Sequence, residues 1–190
     1  QSVLHALLRP PSFSVVSKYL SVDGGVRRRV RNAVPITYNQ ARMFKENFKE
    51  ECLVSVFARA VSNAVAKYEG ESTNPTASVI AADENYLQYI NTGVSKGRGI
   101  SENDVKMNSY VCVVGNGIVK SLFKGFEEPL GKVISVEGVR FEIVGVLESV
   151  GSTFSGSADS EIIVPVSSAR SYFVGENTSF AVGVVPQVFD

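Results

Sequence analysis

Tryptophan is absent, histidine occurs once and cysteine twice among the 190 residues, and no apolar run approaches the roughly 18 to 20 residues that cross a bilayer. Each scarcity excludes something. The one histidine, His5, lies in a lead-in without clear period, so Ser-His-Asp, Cys-His and histidine-rich metal sites have no imidazole held by a framework. Formal charge sums to zero, with 19 Lys+Arg against 19 Asp+Glu, which argues against a nucleic-acid-binding domain and its basic footprint. Neither Gly-Lys-Ser nor Gly-Lys-Thr occurs, so the chain carries no phosphate loop. No stretch of it resembles a basic, apolar, small-residue signal sequence, and no solenoid-length repeat or low-complexity tract is evident. Cys52 and Cys112 both sit in apolar, strand-like runs, which favours two buried thiols; a single disulfide in an oxidising compartment is the alternative.

What is present is ordinary globular composition, 44% hydrophobic, enough for one large domain or two small packed ones. Its centre of gravity is the stretch from Asn108 to Val150. Tyr110 to Val114 has the continuous apolar character of a buried strand, and Gly115-Asn116-Gly117 turns it into a helical period carrying Ile118, Leu122 and Phe123. Gly125 and Pro129 end that helix. Lys132 to Val136 and Val139 to Leu147 then read as strands of a hairpin across Glu137-Gly138. The unit is β-α-β-β.

Earlier in the chain, Phe13 to Val22 and Val26 to Val34 read as extended segments across Asp23-Gly24-Gly25. Thr37 to Glu51 is the clearest helix: Thr37 and Gln40 have capping-box spacing, and Tyr38, Ala41, Phe44 and Phe48 form an apolar stripe opposite a charged, solvated face. Strands follow at Cys52 to Ala60, Asn63 to Tyr68 and Thr76 to Ala82. A short helix is expected over Asp83 to Ile90 and another after Ser101, with an exposed loop from Gly93 to Gly99 between them. The Gly151 to Asp159 loop, a strand at Glu161 to Val166, a helix at Ser167 to Phe173 and a strand at Ser179 to Val185 complete the order.

Site chemistry is sparse. Gly115-Asn116-Gly117 invites an anion reading, but Lys120 stands where the dinucleotide fingerprint needs its third glycine, so a structural turn is preferred. Arg27, Arg29 and Arg31 share one face of an expected strand and suit an edge guarded against pairing, or contact with an acidic partner or lipid. Lys96 and Arg98 in the glycine-rich loop, and Phe154 at a loop tip, are the other candidate partner contacts. No catalytic, cofactor-binding or metal-ligating residue emerges.

Four pieces together resemble the MacB-like periplasmic core domain of ABC-transporter permeases, proteins that also carry FtsX-like membrane segments. They are Ala82-Asp83-Glu84-Asn85-Tyr86-Leu87 leading to Gly97-Arg98-Gly99-Ile100; the strand and helix from Val111 to Phe123; Glu128-Pro129-Leu130-Gly131-Lys132 running into Phe141-Glu142-Ile143-Val144-Gly145-Val146; and Ile163-Val164-Pro165-Val166-Ser167-Ser168. The resemblance implies an α+β (mixed) fold of two intimately packed subdomains. An arm and first strand would occupy 1–24, a porter-like β-α-β sheet subdomain 25–82 plus 176–190 with its second half truncated, and a smaller α/β subdomain 83–175. It implies a non-enzymatic domain at the periplasmic side of the bacterial inner membrane, with Gln1 and Asp190 as cut ends. Flanking transmembrane helices, a second permease copy, a periplasmic adaptor and a cytoplasmic ATPase are the expected partners. ATP would be used by that ATPase, with no cofactor in this domain and no nucleic acid. The expected role is transmission of ATP-driven motion to exported cargo, and a periplasmic ligand- or peptide-binding module is the second reading.

Overall fold

In the computed structural model, residues 12–16, 34–48, 51–149 and 158–187 are described in full, and 20–23 and 26–29 by backbone. Thirteen strands and five short α-helices occur among them: β1 (Phe13–Val15), β2 (Leu20–Asp23), β3 (Val26–Arg29), α1 (Tyr38–Asn47), β4 (Cys52–Ala64), β5 (Ala66–Tyr68), β6 (Glu71–Ser72), β7 (Ala77–Ala82), α2 (Tyr86–Tyr89), β8 (Val94–Gly97), α3 (Glu102–Lys106), β9 (Val111–Val114), α4 (Asn116–Leu122), β10 (Val133–Val136), β11 (Val139–Leu147), β12 (Glu161–Pro165), α5 (Val166–Ala169) and β13 (Ala181–Pro186). A single 3-10 turn, Ala158–Ser160, leads into β12.

One continuous sheet organises the molecule, in the order β1-β13-β4-β7-β12-β9-β11-β10-β5-β6, with β8 added on β11; β2 and β3 form a separate two-stranded ribbon. The pairs β7/β12 and β9/β11 are parallel and the remaining pairs antiparallel. This is the expected mixed α+β architecture. At its middle, β7 and β12 are almost wholly buried on both faces, which explains why ASVIAA and EIIVP read as continuous apolar runs rather than alternating ones.

The two sheet faces carry separate cores. One contains Val54, Val56, Val79, Ala81, Ile162 and Val164 with Ala41 of α1, Ile118 and Leu122 of α4, and Val166 of α5. The other contains Ile80, Val113, Leu147 and Ile163, with Tyr86 of α2 and Ile100. Alternation along each strand assigns successive residues to opposite cores.

Helix α1 begins as its sequence dictates. Thr37 accepts a hydrogen bond from the Gln40 backbone N–H and Gln40 Oε1 accepts one from the Thr37 N–H, closing a capping box. Its stripe docks Tyr38 edge-on to Phe180 of the approach to β13, and stacks Phe44 on Phe48. The helix ends at Asn47 with Phe48 extended, so the expected span to Glu51 is too long. The β10–β11 hairpin follows the expectation closely, with Glu137 and Gly138 both at positive φ (49° and 81°) as a two-residue turn between twisted strands requires.

Other departures have local causes. The expected extended segment Phe13 to Val22 divides: β1 leaves to pair with β13, and only β2 joins β3. Within the Gly93 to Gly99 segment, expected as a loop, Val94–Gly97 forms strand β8, because Gly97 and Gly145 let two backbones approach. Tyr110 precedes β9 and is 43% exposed, so the buried strand starts one residue later than the apolar run suggests. Of the Gly151 to Asp159 loop, Ala158 and Asp159 belong to the 3-10 turn; the N-terminal lead-in, Gly24-Gly25, Arg31 and Phe154 lie outside the described residues.

Candidate functional site

Where β7 ends, Asp83 turns its carboxylate back beneath α1. Oδ1 accepts from Ser55 Oγ (2.9 Å) and the Asn85 N–H (3.0 Å), and Oδ2 from the Val56 N–H (2.7 Å) and Lys45 Nζ (2.9 Å). The strand β4 supplies Ser55 and Val56, and α1 supplies Lys45. A side chain only 4% exposed is therefore fully satisfied. Lys45 donates a second bond to Glu84 Oε1 (2.6 Å). Next to it, Asn85 Nδ2 donates to the Val54 carbonyl (2.9 Å), fastening the chain to β4 before α2 begins. The expected helix from Asp83 starts only at Tyr86 because Asp83 and Asn85 spend their side chains on the sheet.

Burial pushes the Asp83 carboxyl above the ordinary aspartate value, and Lys45 and the hydrogen bonds pull it partly back. For Lys45, burial acts to lower the ammonium's pKa, but the charges and hydrogen bonds of Asp83 and Glu84 outweigh it and leave it raised. The group is a hydrogen-bonded ion cluster of two carboxylates on one ammonium, with Asp83 buried and Lys45 and Glu84 half-buried.

A cleft of about 410 Å³ opens over this cluster between α1 and α3. Val56, Val105, Val166 and Tyr38 line it with apolar surface, and its rims carry Arg42 paired with Glu46 (2.7 Å) and Lys106 paired with Glu102 (3.0 Å). The outer face of Tyr38 is covered by the Arg170 guanidinium, 4.2 Å from the ring centroid.

Among the basic positions marked in the sequence, Arg98 is engaged from within the fold. Its guanidinium makes two bonds to Asp104 (2.6 and 3.2 Å), and Asp104 also accepts from the Ser101 N–H (2.8 Å) while the Ser101 hydroxyl accepts from the Asp104 N–H (3.1 Å). Burial alone would raise the Asp104 carboxyl; the Arg98 and Ser101 bonds and the Arg98 charge overcome it and hold it below the usual carboxylate range. Lys96 is exposed on β8 and faces Glu128 at 3.6 Å. Arg27 and Arg29 lie on β3 in the separate ribbon, and their side chains are outside the described residues, as are Arg31 and Phe154. The structure thus places Lys96 on β8 and Arg98 directly after it, and does not gather the set.

The Gly115-Asn116-Gly117 turn has a packing explanation. A β-carbon at Gly115 would meet the Ala158 and Asp159 carbonyls, and one at Gly117 would lie 2.7 Å from Asp159 O, so the glycines admit the close approach of the 3-10 turn. Both cysteines are free thiols, Cys112 buried and Cys52 half-buried. No group of three or more metal-binding side chains and no helix long and apolar enough to cross a membrane occurs among the described residues.

Solved transporter ectodomains share this fold. The periplasmic region of MacB from Actinobacillus actinomycetemcomitans superposes with a TM-score of 0.71 over 100% of this chain and 82% of that one, at 20% identity. The extracellular domain of the noncanonic ABC-type transporter YknZ gives 0.63 over 83% and 76%, at 24% identity. The chain therefore has the same fold as these two domains. Sequence then sets the family: the model of the MacB-like periplasmic core domain matches residues 8–188, and the chain belongs to that family. It is the periplasmic domain of an ABC-transporter permease. A pyoverdine export ATP-binding/permease protein, PvdT of Pseudomonas fluorescens, is 32% identical over 120 residues, 62% of this chain and 18% of the relative. A macrolide export ATP-binding/permease protein, MacB of Wolinella succinogenes, is 29% identical over 106 residues, 55% of this chain and 16% of the relative. The chain matches less than a fifth of the length of these relatives.

Proposed function

We propose that this domain works as a non-catalytic, rigid transmitter, carrying motion generated by a cytoplasmic ATPase from flanking membrane helices at the periplasmic side of the inner membrane to exported cargo or to a periplasmic adaptor. The observation that carries the proposal is the unbroken sheet: β7 and β12, buried on both faces, join its two halves through five consecutive residue pairs. Bending there would break ladder hydrogen bonds and open a close-packed core, so displacement at one end is delivered at the other by rotation of the whole body. The division into 25–82 plus 176–190 and 83–175 describes, in this reading, two lobes that move together. Permease copies act as a pair, and exposed Lys96 is proposed as a contact at the partner-facing surface. ATP binding belongs to the ATPase, in keeping with a sequence that has no phosphate loop.

Paired spin labels in the full-length permease with its ATPase test this. Labels at Ser72 and Gln187, at opposite ends of the sheet, should keep one distance through the nucleotide cycle, while labels on the two copies should change theirs. An inter-copy distance that ignores ATP hydrolysis would refute transmission. Calorimetry on the isolated chain should show no ATP binding, and micromolar affinity would count against the reading.

A further inference from the structure

The cleft between α1 and α3 is lined in a way that selects a ligand. Tyr38 and Val105 give its apolar walls beside the ion cluster, over a floor that reaches the buried Val56 and Val166, and its volume of about 410 Å³ falls in the range of small-molecule sites. Asp83 already accepts four hydrogen bonds and has no acceptor capacity to offer. Lys45 divides one positive charge between two carboxylates, so the floor retains one negative charge. That charge falls on Glu84, whose side chain is 25% exposed and lines the cleft. The rims add nothing to it: Arg42 with Glu46, and Lys106 with Glu102, are neutral pairs within their own helices.

From this the geometry points to a binding site for a small amphipathic monocation, its ammonium or guanidinium group on Glu84 and its apolar body against Tyr38 and Val105, above Val56 and Val166. An anion at the floor would have to displace a carboxylate from Lys45 to gain a partner. A polycation would find one uncompensated charge and would gain little over a monocation. Desolvation inside the cleft strengthens the contact with Glu84 relative to the same pair in water. The site goes beyond force transmission and does not depend on it, since binding by the isolated chain is separable from movement in the transporter.

The test titrates the 190-residue chain with three probes of one size, n-octylammonium, n-octanol and n-octanoate, by calorimetry and by methyl NMR of the lining valines. Octylammonium should bind saturably, about tenfold or more tighter than octanol, a difference of about 1.4 kcal/mol. Octanoate should bind more weakly than octanol. Glu84→Gln keeps an acceptor for Lys45 and removes the surplus charge; it should abolish the preference for octylammonium while octanol binding stays within about twofold. Val105→Phe, which narrows the cleft, should weaken all three probes. Octanoate binding as tightly as octylammonium, an unchanged preference in Glu84→Gln, or shifts confined to methyls away from Val56, Val105 and Val166 would each overturn the assignment.

Discussion

Gly97 and Gly145 face each other in the β8/β11 pair, and each occupies a place where a β-carbon would strike a carbonyl: Val144 O for Gly97 and Arg98 O for Gly145. Gly97 also sits at φ +69°, a conformation that side-chain-bearing residues rarely adopt. Two bare positions thus let β8 reach β11 and set Arg98 on its course toward Asp104. Gly145→Ala and Gly97→Ala should each cost about 3 kcal/mol, a fall of about 10 °C in Tm for a chain of this size. Gly175→Ala, where the added carbon meets nothing, should stay within about 0.5 kcal/mol. Calorimetric melts of the three variants check the contrast, and a Gly145→Ala chain as stable as the parent would show that the strands can part without cost.

Asp104 joins two tasks, capping α3 and holding Arg98. Asp104→Asn leaves one oxygen where the parent has two, so it keeps part of the cap and loses the bidentate pair. The expected cost at neutral pH is about 2 kcal/mol. Since the folded-state pKa of Asp104 lies below its unfolded value, its contribution is full above the ordinary aspartate range and is lost as pH falls from there through the depressed folded-state value. Parent and variant should therefore differ at pH 7 and converge below about pH 4. Denaturant melts at four pH values measure this, and a constant difference down to pH 3 would remove the charge argument.

How much of this was legible in the sequence depended on how local each cause is. The Thr37–Gln40 box, the Glu137-Gly138 turn and the Gly115-Asn116-Gly117 break are decided within a few residues, and each formed where the pattern placed it. The partners of β1 and β8 are not local. Phe13 pairs with Val184, and Gly97 with Gly145, so the loop reading of Gly93 to Gly99 failed because its hydrogen bonds come from a strand about fifty residues away. The ion cluster was hidden for the same reason. Lys45 lies on a helix whose outward face bears several charges, and nothing in a helical period says which one meets a carboxylate at a strand end. Asp83 looked like the start of a helix; the available clue was an acidic residue directly after a wholly apolar strand.

The pair Lys45–Asp83 gives a pH profile with a maximum. Lys45→Met removes one of four donors from Asp83 and the donor from Glu84, at an expected cost of about 2 to 3 kcal/mol at pH 7. The folded-state pKa of Lys45 is raised above 10.5, so its stabilisation is complete below that value and is lost as pH rises through the raised one. Asp83 runs the other way: burial raises it, and without Lys45 it would rise further, so the variant regains stability by taking up a proton as pH falls. The difference between parent and Lys45→Met should thus be largest near neutrality and shrink toward both extremes. A difference that grows on acidification would mean that Asp83 is not the group held by Lys45.

Cysteine chemistry separates the sheet interior from its margin. Cys112 lies on β9 with no exposed surface, and burial, then the charge of Glu142, push its thiol far above the ordinary value, so almost none is thiolate at neutral pH. Cys52 begins β4 opposite Pro186 and is only half-buried. A thiol-disulfide reagent at pH 7.5 should therefore modify at most one cysteine per native chain, and the second at the rate of global unfolding, since reaching Cys112 requires β9 to leave both β11 and β12. Reductant should leave Tm unchanged. Two thiols reacting rapidly in the native chain would mean that β9 opens locally, and no reactive thiol after denaturation without reductant would mean that the two are joined, which the separation of β4 from β9 by β7 and β12 does not allow.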